Sequence, residues 1–433
     1  REVLDVHLRG VRTGTHHDNV RAAGLIPYIV TGNVPIQMSK DPTLGGFGVN
    51  TKLPNNLTEY SEYIQGFAAA ALVRYGAAEL REWKWGVLTE FNNRDWFDDG
   101  GPEGYFQLYD WTVCGLLAAL SPANAMGDVG AHACSSCGNG AWDARKLITH
   151  VTTGTNYCSK AKGSQLDFLS NSFYAMKPET WSAANFHGVM QPLRDALDAA
   201  GLAHVPLGIG EGRIIAQADH TTLPSRAVGS TYQAAFDATL FKAMLDVRVS
   251  WYSRWAVNTN GQIGSSTPAI DSASTQTARV VLKMAGDQRV AGVQKIPPSV
   301  KICTGCTATP YHPSTCQCGC VGAKTSACCC PGGLPRPCIP CAGPGGGGSS
   351  DDVNVVVSRD ETKDIVRLLV VHMSRDLAAT ESASAAITLC GLKPQPPQRG
   401  VKVWLIDDTH STYWSEWEKD LAAHSATSRP WPA

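Results

Sequence analysis

Short apolar runs alternate with longer helix-like stretches between residues 20 and 290. The apolar runs are LIPYIV (25–30), WGVLTE (85–90), LDFLSNSFY (166–174) and VPLGIGE (205–211). The helix-like stretches are EYSEYIQGFAAAALVRYG (59–76), GYFQLYDWTVCGLLAAL (104–120), VMQPLRDALDAAG (189–201) and STYQAAFDATLFKAMLD (230–246). This alternation predicts an α/β fold, and its length suits a (β/α)8 barrel. A doubly wound sheet is the alternative, but its usual glycine-rich phosphate turn does not follow the first strands.

The pattern changes after the predicted barrel, which we assign to residues 1–295. Residues 296–350 are rich in cysteine, glycine and proline and predict a disulfide module that ends in a linker. In residues 351–433, the segments VNVVVSRD, DIVRLLVVHMS, SASAAITLCGL and GVKVWLIDD predict a small antiparallel β-sandwich. The closing segment THSTYWSEWEKDLAA predicts a short helix that packs back on the barrel.

Ten of the fifteen cysteines fall in one short segment of the predicted module. They are Cys303, Cys306, Cys316, Cys318, Cys320, Cys328, Cys329, Cys330, Cys338 and Cys341. This density indicates disulfides. A four-thiolate zinc site made by two of the C-x-x-C pairs is the alternative, but three consecutive cysteines fit it poorly. A further pair, Cys134 and Cys137, predicts a tight bridge, and the odd total leaves one thiol free or paired outside the chain.

Charge and cysteine content narrow the setting of the protein. The chain has 37 basic and 38 acidic residues and no long basic run, which argues against a nucleic-acid-binding face. It has no apolar run of about 18 residues, the length of a membrane-spanning helix. Asn56, Leu57 and Thr58 form a glycosylation sequon, and together with the cysteines they predict a secreted or cell-surface glycoprotein. The chain begins at Arg1 without a signal-like segment, so we expect a processed product.

Two of the predicted strands end on a glutamate. Glu90 closes WGVLTE and Glu211 closes VPLGIGE, far enough apart for three further strand–helix units. In a barrel, the carboxyl ends of the strands carry the active site. Two carboxyl groups facing each other across a cleft are what glycoside hydrolysis requires. The structural alternative is that each glutamate simply caps the amino terminus of the next helix.

Aromatic side chains near strand ends extend this picture. Phe91, Tyr174 and Trp251 are candidates for stacking against a sugar, although aromatic rings are also ordinary core residues. Thr89 and Asn92, close to Glu90 in the sequence, are further candidates for sugar binding.

RYGAAELREWKWGVLTEFN (74–92) resembles the acid/base region of glycoside hydrolase family 39, the β-xylosidase and α-L-iduronidase family. The resemblance continues in chain order over about 370 residues. It includes GLIPYIVTGNVP (24–35), YFQLYDWT (105–112), LDFLSNSFY, VPLGIGE, SWYSRW (250–255) and VKVWLIDDTHSTYWSEW (401–417). It implies that Glu90 is the general acid/base and Glu211 the nucleophile of a retaining mechanism. It implies no metal and no organic cofactor.

The chain also departs from the family's pattern. Thr89 stands where the family has an asparagine that holds the sugar 2-hydroxyl, and Phe91 replaces a proline. A histidine expected near the fifth or sixth strand is replaced around Asn171 and Ser172. Before the family's third strand the chain is short, so we expect the family's first strand to be absent from it, the second to be compressed, and a further segment or another chain to complete the barrel. His16 and His17 are weak candidates for the family's second-strand histidine.

The sequence is compatible with three functions. The first is an extracellular retaining glycosidase acting on xyloside or uronide bonds. The second is an inactive structural subunit of an extracellular glycoprotein assembly, for example a surface fibre or flagellar hair. The third is a carbohydrate-binding protein. The expected partners are therefore a carbohydrate and, in the second case, other copies or other chains of the assembly.

Overall fold

The computed structural model describes residues 13–22, 24–39, 41–138, 141–175, 183–214, 231–254, 273–290, 352–363, 365–373, 400–407, 409–410 and 419. The chain divides into two compact units. The first comprises Arg1–Ala175, Ser182–Arg213 and Ala243–Trp255, and the second comprises Met176–Trp181, Ile214–Lys242 and Ala256–Ala433. The cysteine-rich segment 303–341 lies outside the described residues, so the predicted disulfide module stays a prediction.

Six strands form one sheet in the first unit, and they follow each other in chain order. They are β1 (Tyr28–Thr31), β2 (Lys84–Val87), β3 (Asp128–Ala133), β4 (Phe168–Ala175), β5 (Leu207–Ile214) and β6 (Val249–Arg254). The pairs β1/β2, β2/β3, β3/β4 and β5/β6 are parallel. Parallel neighbours need crossover connections, which helices supply here as the sequence pattern predicts.

The helices match the periodic stretches of the sequence. They are α1 (Thr13–Ala22), α2 (Leu57–Tyr75), α3 (Ala77–Leu80), α4 (Gly101–Leu120), α5 (Arg145–Thr153), α6 (Ala183–Ala199), α7 (Thr231–Val247) and α8 (Ala273–Leu282), with 3-10 turns at Ile36–Met38 and Ser121–Ala123. None of these described helices has both the length and the apolar composition of a membrane span.

Helix α2 shows how the sequence sets the bounds of an element. Asn56 caps its first turn, because its side-chain oxygen accepts hydrogen bonds from the backbone N–H groups of Thr58 and Glu59. The helix ends at Gly76, whose φ of 80° suits glycine. Its buried residues recur at helical spacing and face the core: Tyr60, Ile64, Ala68 and Ala71.

The six-stranded sheet is curled rather than flat. The rings of Tyr28 on β1 and Phe168 on β4 lie 5.3 Å apart, and Nζ of Lys84 on β2 lies 5.9 Å from the ring of Trp251 on β6. In a flat sheet, strands three or four positions apart would be separated by roughly 14–19 Å. The sheet therefore closes around these side chains as a half-barrel, which is consistent with the predicted barrel.

The second unit contains a small antiparallel sheet. Its strands are β7 (Gln288–Arg289), β8 (Asp352–Asp360) and β9 (Ile365–Met373), in that order. The predicted strands VNVVVSRD and DIVRLLVVHMS are confirmed as β8 and β9. The sandwich is not confirmed, since the described residues contribute this one sheet of three strands to the unit.

The predicted strand at GVKVWLIDD is wrong over the residues described. Residues 401–406 have no strand pairing, and Asp407 makes only an isolated bridge to His410. Val401 and Val403 are 87% and 75% exposed, so this alternating pattern covers no core. The segment SASAAITLCGL and almost all of the predicted closing helix lie outside the described residues.

Candidate active site

Glu90 lies in the turn that follows β2, at the carboxyl end of the sheet. Leu88 and Glu90 have φ angles of 62° and 43°, in the left-handed region that residues other than glycine seldom adopt. The backbone N–H of Phe91 donates to the carbonyl of His132, which fixes the turn against β3. These two unusual conformations place the Glu90 side chain inside the barrel mouth, where it is only 6% exposed.

Three donors hold the two carboxylate oxygens of Glu90. Oε1 accepts a hydrogen bond of 2.6 Å from the hydroxyl of Ser172. Oε2 accepts hydrogen bonds from Nδ2 of Asn93, at 2.9 Å, and from Nε1 of Trp96, at 3.2 Å. A carboxylate has about four acceptor positions, so the described residues leave one position open, on Oε1. Among these residues the donors to Glu90 are a hydroxyl, an amide and an indole, none of which is basic.

His132, on β3, connects Thr89 with Ser172. Its Nε2 lies 2.9 Å from Oγ of Ser172, and its Nδ1 lies 3.2 Å from Oγ1 of Thr89. Ser172 has one hydroxyl proton and gives it to Glu90, so the hydrogen-bond pattern assigns the ring proton to Nε2. Nδ1 then accepts from Thr89. Burial lowers the pKa of His132 to about 4, which keeps the ring neutral near pH 7.

Glu211 is on β5, at a break in the strand register. Ile209 pairs with Tyr252 and Gly212 pairs with Arg254, so β5 holds one residue more than β6 over this interval. Such bulges re-aim side chains beside active sites. The hydroxyl of Tyr174 donates a short hydrogen bond to Oε1 of Glu211. The carboxyl group thus faces the same side of β4 as Tyr174 does.

The charge state of Glu211 depends on its surroundings. The pKa of Glu211 is raised to about 7, chiefly because the carboxyl group is buried; the hydrogen bond from Tyr174 lowers the pKa, and the nearby Glu90 raises it. The two carboxyl groups are therefore close enough to interact. Their separation along the sheet, with Glu90 after the second described strand and Glu211 on the fifth, agrees with the spacing expected from the sequence.

The turn after Glu90 is fastened to the loop that follows β3. The side chain of Asn92 donates to the carbonyl of Trp142 and accepts from the backbone N–H of Cys134. The ring of Phe91 is buried and stacks on Tyr105, with centroids 4.4 Å apart. These contacts give both residues a structural role. Their predicted contact with a sugar stays a prediction.

The predicted bridge between Cys134 and Cys137 is formed, and so is a second one between Cys114 and Cys158. Sγ of Cys137 lies 3.7 Å from Oε2 of Glu90, and the ligand atoms of Glu90, Cys134 and Cys137 lie within 4.8 Å of one another. Three such ligands suit zinc only as free thiolates and a carboxylate. With the sulfurs joined, this group does not fit a metal centre.

An aromatic pair lies beside the acid. The rings of Phe47 and Trp96 are stacked with centroids 4.5 Å apart, and Phe47 is 59% exposed. Because the indole N–H of Trp96 donates to Glu90, the pair is attached directly to the carboxylate. This pair was not predicted from the sequence, although the cluster NNRDW (92–96), which follows Phe91, was a signal for its tryptophan.

Trp251 is not where it was predicted. Strand β6 begins only two residues earlier, at Val249, and Trp251 pairs with Gly208 near the start of β5. Its ring covers Gly208, where a Cβ would lie only 2.0 Å from the indole. Trp251 therefore belongs to the amino-terminal layer of the barrel interior, with Phe168, at the opposite end from Glu90.

Some of the remaining predicted site residues contact the two glutamates, and others lie elsewhere. Thr89 and Tyr174 are partly exposed and contact the glutamate network described above. Asn56 is exposed, as glycosylation requires, and its oxygen caps α2. His132 was missed, because its short strand carries little apolar signal. Ser172 was noted only as part of a missing histidine motif. The side chain of His16 lies outside the described residues, and His17 is 5.7 Å from the ring of Trp83.

A curled parallel sheet with two interacting glutamates at the carboxyl ends of its strands is typical of a glycosidase barrel. Residues 12–199 match the model of glycosyl hydrolases family 39. The resemblance found in the sequence is thus confirmed for this region, which is related to family 39. The matched region includes Glu90 and ends before Glu211.

Three individual proteins are also similar to the chain. A beta-xylosidase of Caldicellulosiruptor saccharolyticus is 28% identical over 152 residues, which are 35% of this chain and 28% of that protein. The crystal structure of a monomeric beta-xylosidase from Caulobacter crescentus CB15 is 20% identical, with a TM-score of 0.47, over 62% of this chain and 55% of that one. The family 39 enzyme from Xanthomonas axonopodis pv. citri is 20% identical, with a TM-score of 0.48, over 62% and 54%. The chain spans about half of these two solved structures, and just over a quarter of the curated relative.

Proposed function

We propose that the protein is a retaining glycoside hydrolase that cleaves O-glycosidic bonds of the xyloside or uronide type. One observation carries the proposal. Hydroxyl groups two residues apart on β4, those of Ser172 and Tyr174, hold the carboxyl groups of Glu90 and Glu211 at the same end of the barrel. The relationship to family 39 supports the same conclusion. A xyloside is the first choice of substrate, because the matched relatives are described as beta-xylosidases.

In this mechanism Glu211 attacks the anomeric carbon while Glu90 protonates the leaving oxygen. The bond from the anomeric carbon to the leaving oxygen breaks, and a bond to the Glu211 carboxylate forms. Glu90 then takes a proton from water as the water attacks the same carbon and the bond from that carbon to the Glu211 carboxylate breaks. The sugar leaves with its original configuration. Oε1 of Glu90, which has the open acceptor position, is the oxygen that would carry the proton.

The electrostatics of the free protein require a rearrangement before this chemistry. Because the pKa of Glu211 is raised to about 7, Glu211 carries a proton below that pH in the free protein. The nucleophile must instead be ionised and the acid protonated. Positive charge that develops at the anomeric carbon in the transition state favours an ionised Glu211 and so moves the proton toward Glu90.

The roles are tested with an aryl β-xyloside bearing a good leaving group, in the presence and absence of azide. We expect Glu90→Ala to form the glycosyl-enzyme and azide to capture it, so that the glycosyl azide has retained configuration. We expect Glu211→Ala to give, with azide, the inverted product by direct attack. If the glycosyl azide were inverted for Glu90→Ala and retained for Glu211→Ala, Glu90 would be the nucleophile and Glu211 the acid/base. If the wild-type protein hydrolysed no xyloside, uronide or arabinoside, the proposal that it is a glycoside hydrolase would be wrong.

A second function is favoured by one observation. Glu90 is 6% exposed and three of its acceptor positions are occupied, which suits a carboxylate that stabilises the fold or binds a sugar. An inactive structural subunit or a carbohydrate-binding protein is therefore the alternative. Titration calorimetry with xylose and xylobiose separates the two, because a binding protein retains affinity without turnover and a structural subunit has neither.

We also propose a secreted or cell-surface location and glycosylation at Asn56. Two disulfides in the first unit support an oxidising compartment. Mass spectrometry of the protein purified from its source, before and after glycosidase treatment, tests both points. An unmodified Asn56 with free thiols at these four cysteines would contradict them.

A further inference from the structure

Glu90, Ser172, His132 and Thr89 form a continuous chain of hydrogen bonds, which we call the Glu90 relay. Its three links measure 2.6 Å, 2.9 Å and 3.2 Å from the carboxylate outward. Glu90, His132 and Ser172 are buried, while Thr89 is partly exposed. Each inner member can both donate and accept, since a hydroxyl and a neutral imidazole have both functions.

We propose that the Glu90 relay has two directions, and that the protonation of Glu90 selects between them through the tautomer of His132. With Glu90 ionised, Thr89 donates to Nδ1 of His132, Nε2–H donates to Ser172, and Ser172 donates to Oε1. With Glu90 protonated on Oε1, every link reverses. Glu90 then donates to Ser172, Ser172 donates to Nε2, and Nδ1–H donates to Thr89.

The proton count of the reversal balances. In the shift, Ser172 passes its proton to Oε1, His132 passes the Nε2 proton to Ser172, and Thr89 passes its proton to Nδ1. When the free protein is protonated in this way, Thr89, the partly exposed end, takes one proton from a hydronium ion of the solvent, which leaves as water. One proton therefore enters at Thr89 and one appears on Glu90, while His132 is neutral in both states. This neutrality agrees with burial, which lowers the pKa of His132 to about 4.

The two oxygens of Glu90 have different surroundings, and this difference fixes where the proton resides. Asn93 and Trp96 only donate to Oε2, through an amide N–H and an indole N–H. Oε2 must therefore remain an acceptor, and the proton is carried by Oε1. A residue that acts as an acid in one step and as a base in the next needs support in both states. A reversible relay gives that support, whereas a fixed donor favours only the ionised state. In this sense the inference rests on the proposed function.

Glu90→Gln tests the inference without any measurement of hydrolysis. Asn93 and Trp96 require the glutamine oxygen at the Oε2 position, so its NH2 group must replace Oε1 and donate to Ser172. We expect ¹⁵N NMR of histidine-labelled protein to show Nε2–H for His132 in the wild type and Nδ1–H in Glu90→Gln. His132→Asn assigns the resonance, and Glu211→Gln, which leaves Glu90 unchanged, keeps the wild-type tautomer.

The same tautomer in wild type and Glu90→Gln would overturn the relay. Ser172→Ala gives a second test, because it removes the link between Glu90 and His132. Adding Glu90→Gln to this variant should therefore no longer change the tautomer of His132.

For an active enzyme, Ser172→Ala should lower kcat about tenfold with little change in KM, while Ser170→Ala, on the same face of β4, retains activity. If the tautomer switches but no glycoside is hydrolysed, the relay stands and the proposed function fails. If hydrolysis occurs with one fixed tautomer, the relay alone fails.

Discussion

The hydroxyl of Ser172 donates to Glu90, and the hydroxyl of Tyr174, two residues further along the same strand, donates to Glu211. Residues two apart on a strand face the same side, about 6–7 Å from each other. Strand β4 therefore contacts both carboxyl groups from one face, through two separate hydroxyls. Each carboxyl group can be perturbed by itself with the loss of a single oxygen atom.

Tyr174→Phe should shift the pH dependence of hydrolysis. The phenol hydrogen bond lowers the pKa of Glu211, so its loss raises that pKa above about 7. Activity that requires an ionised nucleophile should then begin about one pH unit higher, since one hydrogen bond is worth about 1–1.5 kcal/mol. The measurement is kcat/KM from pH 4 to pH 9. Tyr157→Phe, which removes a hydroxyl away from the site, should retain the wild-type profile. An unshifted rising limb in Tyr174→Phe would show that Glu211 is not the group that must ionise.

Glu211→Gln should stabilise the fold at alkaline pH. The folded pKa of Glu211, about 7, is above its ordinary value of 4.5, so the folded protein binds more protons than the unfolded chain between these values. Stability from this group is therefore present at low pH and is lost as the pH rises through about 7. After allowance for solvent screening, we expect a gain of about 1–3 kcal/mol at pH 8 and almost none at pH 4.5.

Urea unfolding at the two pH values measures this difference. Glu62→Gln, at an exposed position on α2, is the matched control and should change stability little at either pH. If Glu211→Gln changed the free energy of unfolding equally at pH 4.5 and pH 8, ionisation of Glu211 would not destabilise the folded protein.

Phe47→Ala should weaken binding of the leaving group. The Phe47 ring is 59% exposed and stacks on Trp96, which touches the proposed acid, so it lies on the side from which the leaving group departs. Loss of one aromatic stacking surface, worth about 0.5–1.5 kcal/mol, should raise KM for xylobiose about three- to tenfold and leave kcat nearly unchanged. Methyl β-xyloside, which has no ring in its leaving group, should show no such change. Val73→Ala, at an 89% exposed position, is the surface control.

The two glutamates were predictable because each closes a short, largely apolar run of a predicted strand. Their exact positions differ from the prediction, since β2 ends at Val87, before Glu90, and β5 continues past Glu211 to Ile214. Strand β3, which pairs with β2, was not predictable, because DVGAHA contains three small residues and two polar ones and has little apolar signal. His132 was missed for this reason. Its contact with Ser172 depends on the register of β3 against β4, which pairs His132 with Ser170 and is not encoded in any local pattern.

Two further features depend on the folded chain. The position of Glu211 requires an extra residue in β5, and a single sequence does not distinguish a bulged strand from a regular one. Trp251 was misplaced because the start of β6 was not determined, and a shift of a few residues moves a side chain from the mouth of a barrel to its floor. The family resemblance, in contrast, was recognisable, because its motifs occur in order along the chain.

The two disulfides should have separable effects. Cys114 and Cys158 are 44 residues apart, and loop-closure entropy for that length is about 4 kcal/mol, whereas the bridge over three residues from Cys134 to Cys137 is worth only about 2 kcal/mol. Sγ of Cys137 in the Cys134–Cys137 bridge lies against Glu90. The backbone N–H of Cys134 donates a hydrogen bond to the side chain of Asn92, in the turn that contains Glu90. We expect Cys134→Ser/Cys137→Ser to reduce kcat strongly with a small loss of stability. Cys114→Ser/Cys158→Ser should lower the unfolding midpoint more while the folded protein retains its kcat. Urea unfolding and steady-state kinetics on both variants make the comparison. A double variant at 134 and 137 with normal kcat would mean that this bridge has no part in positioning the acid.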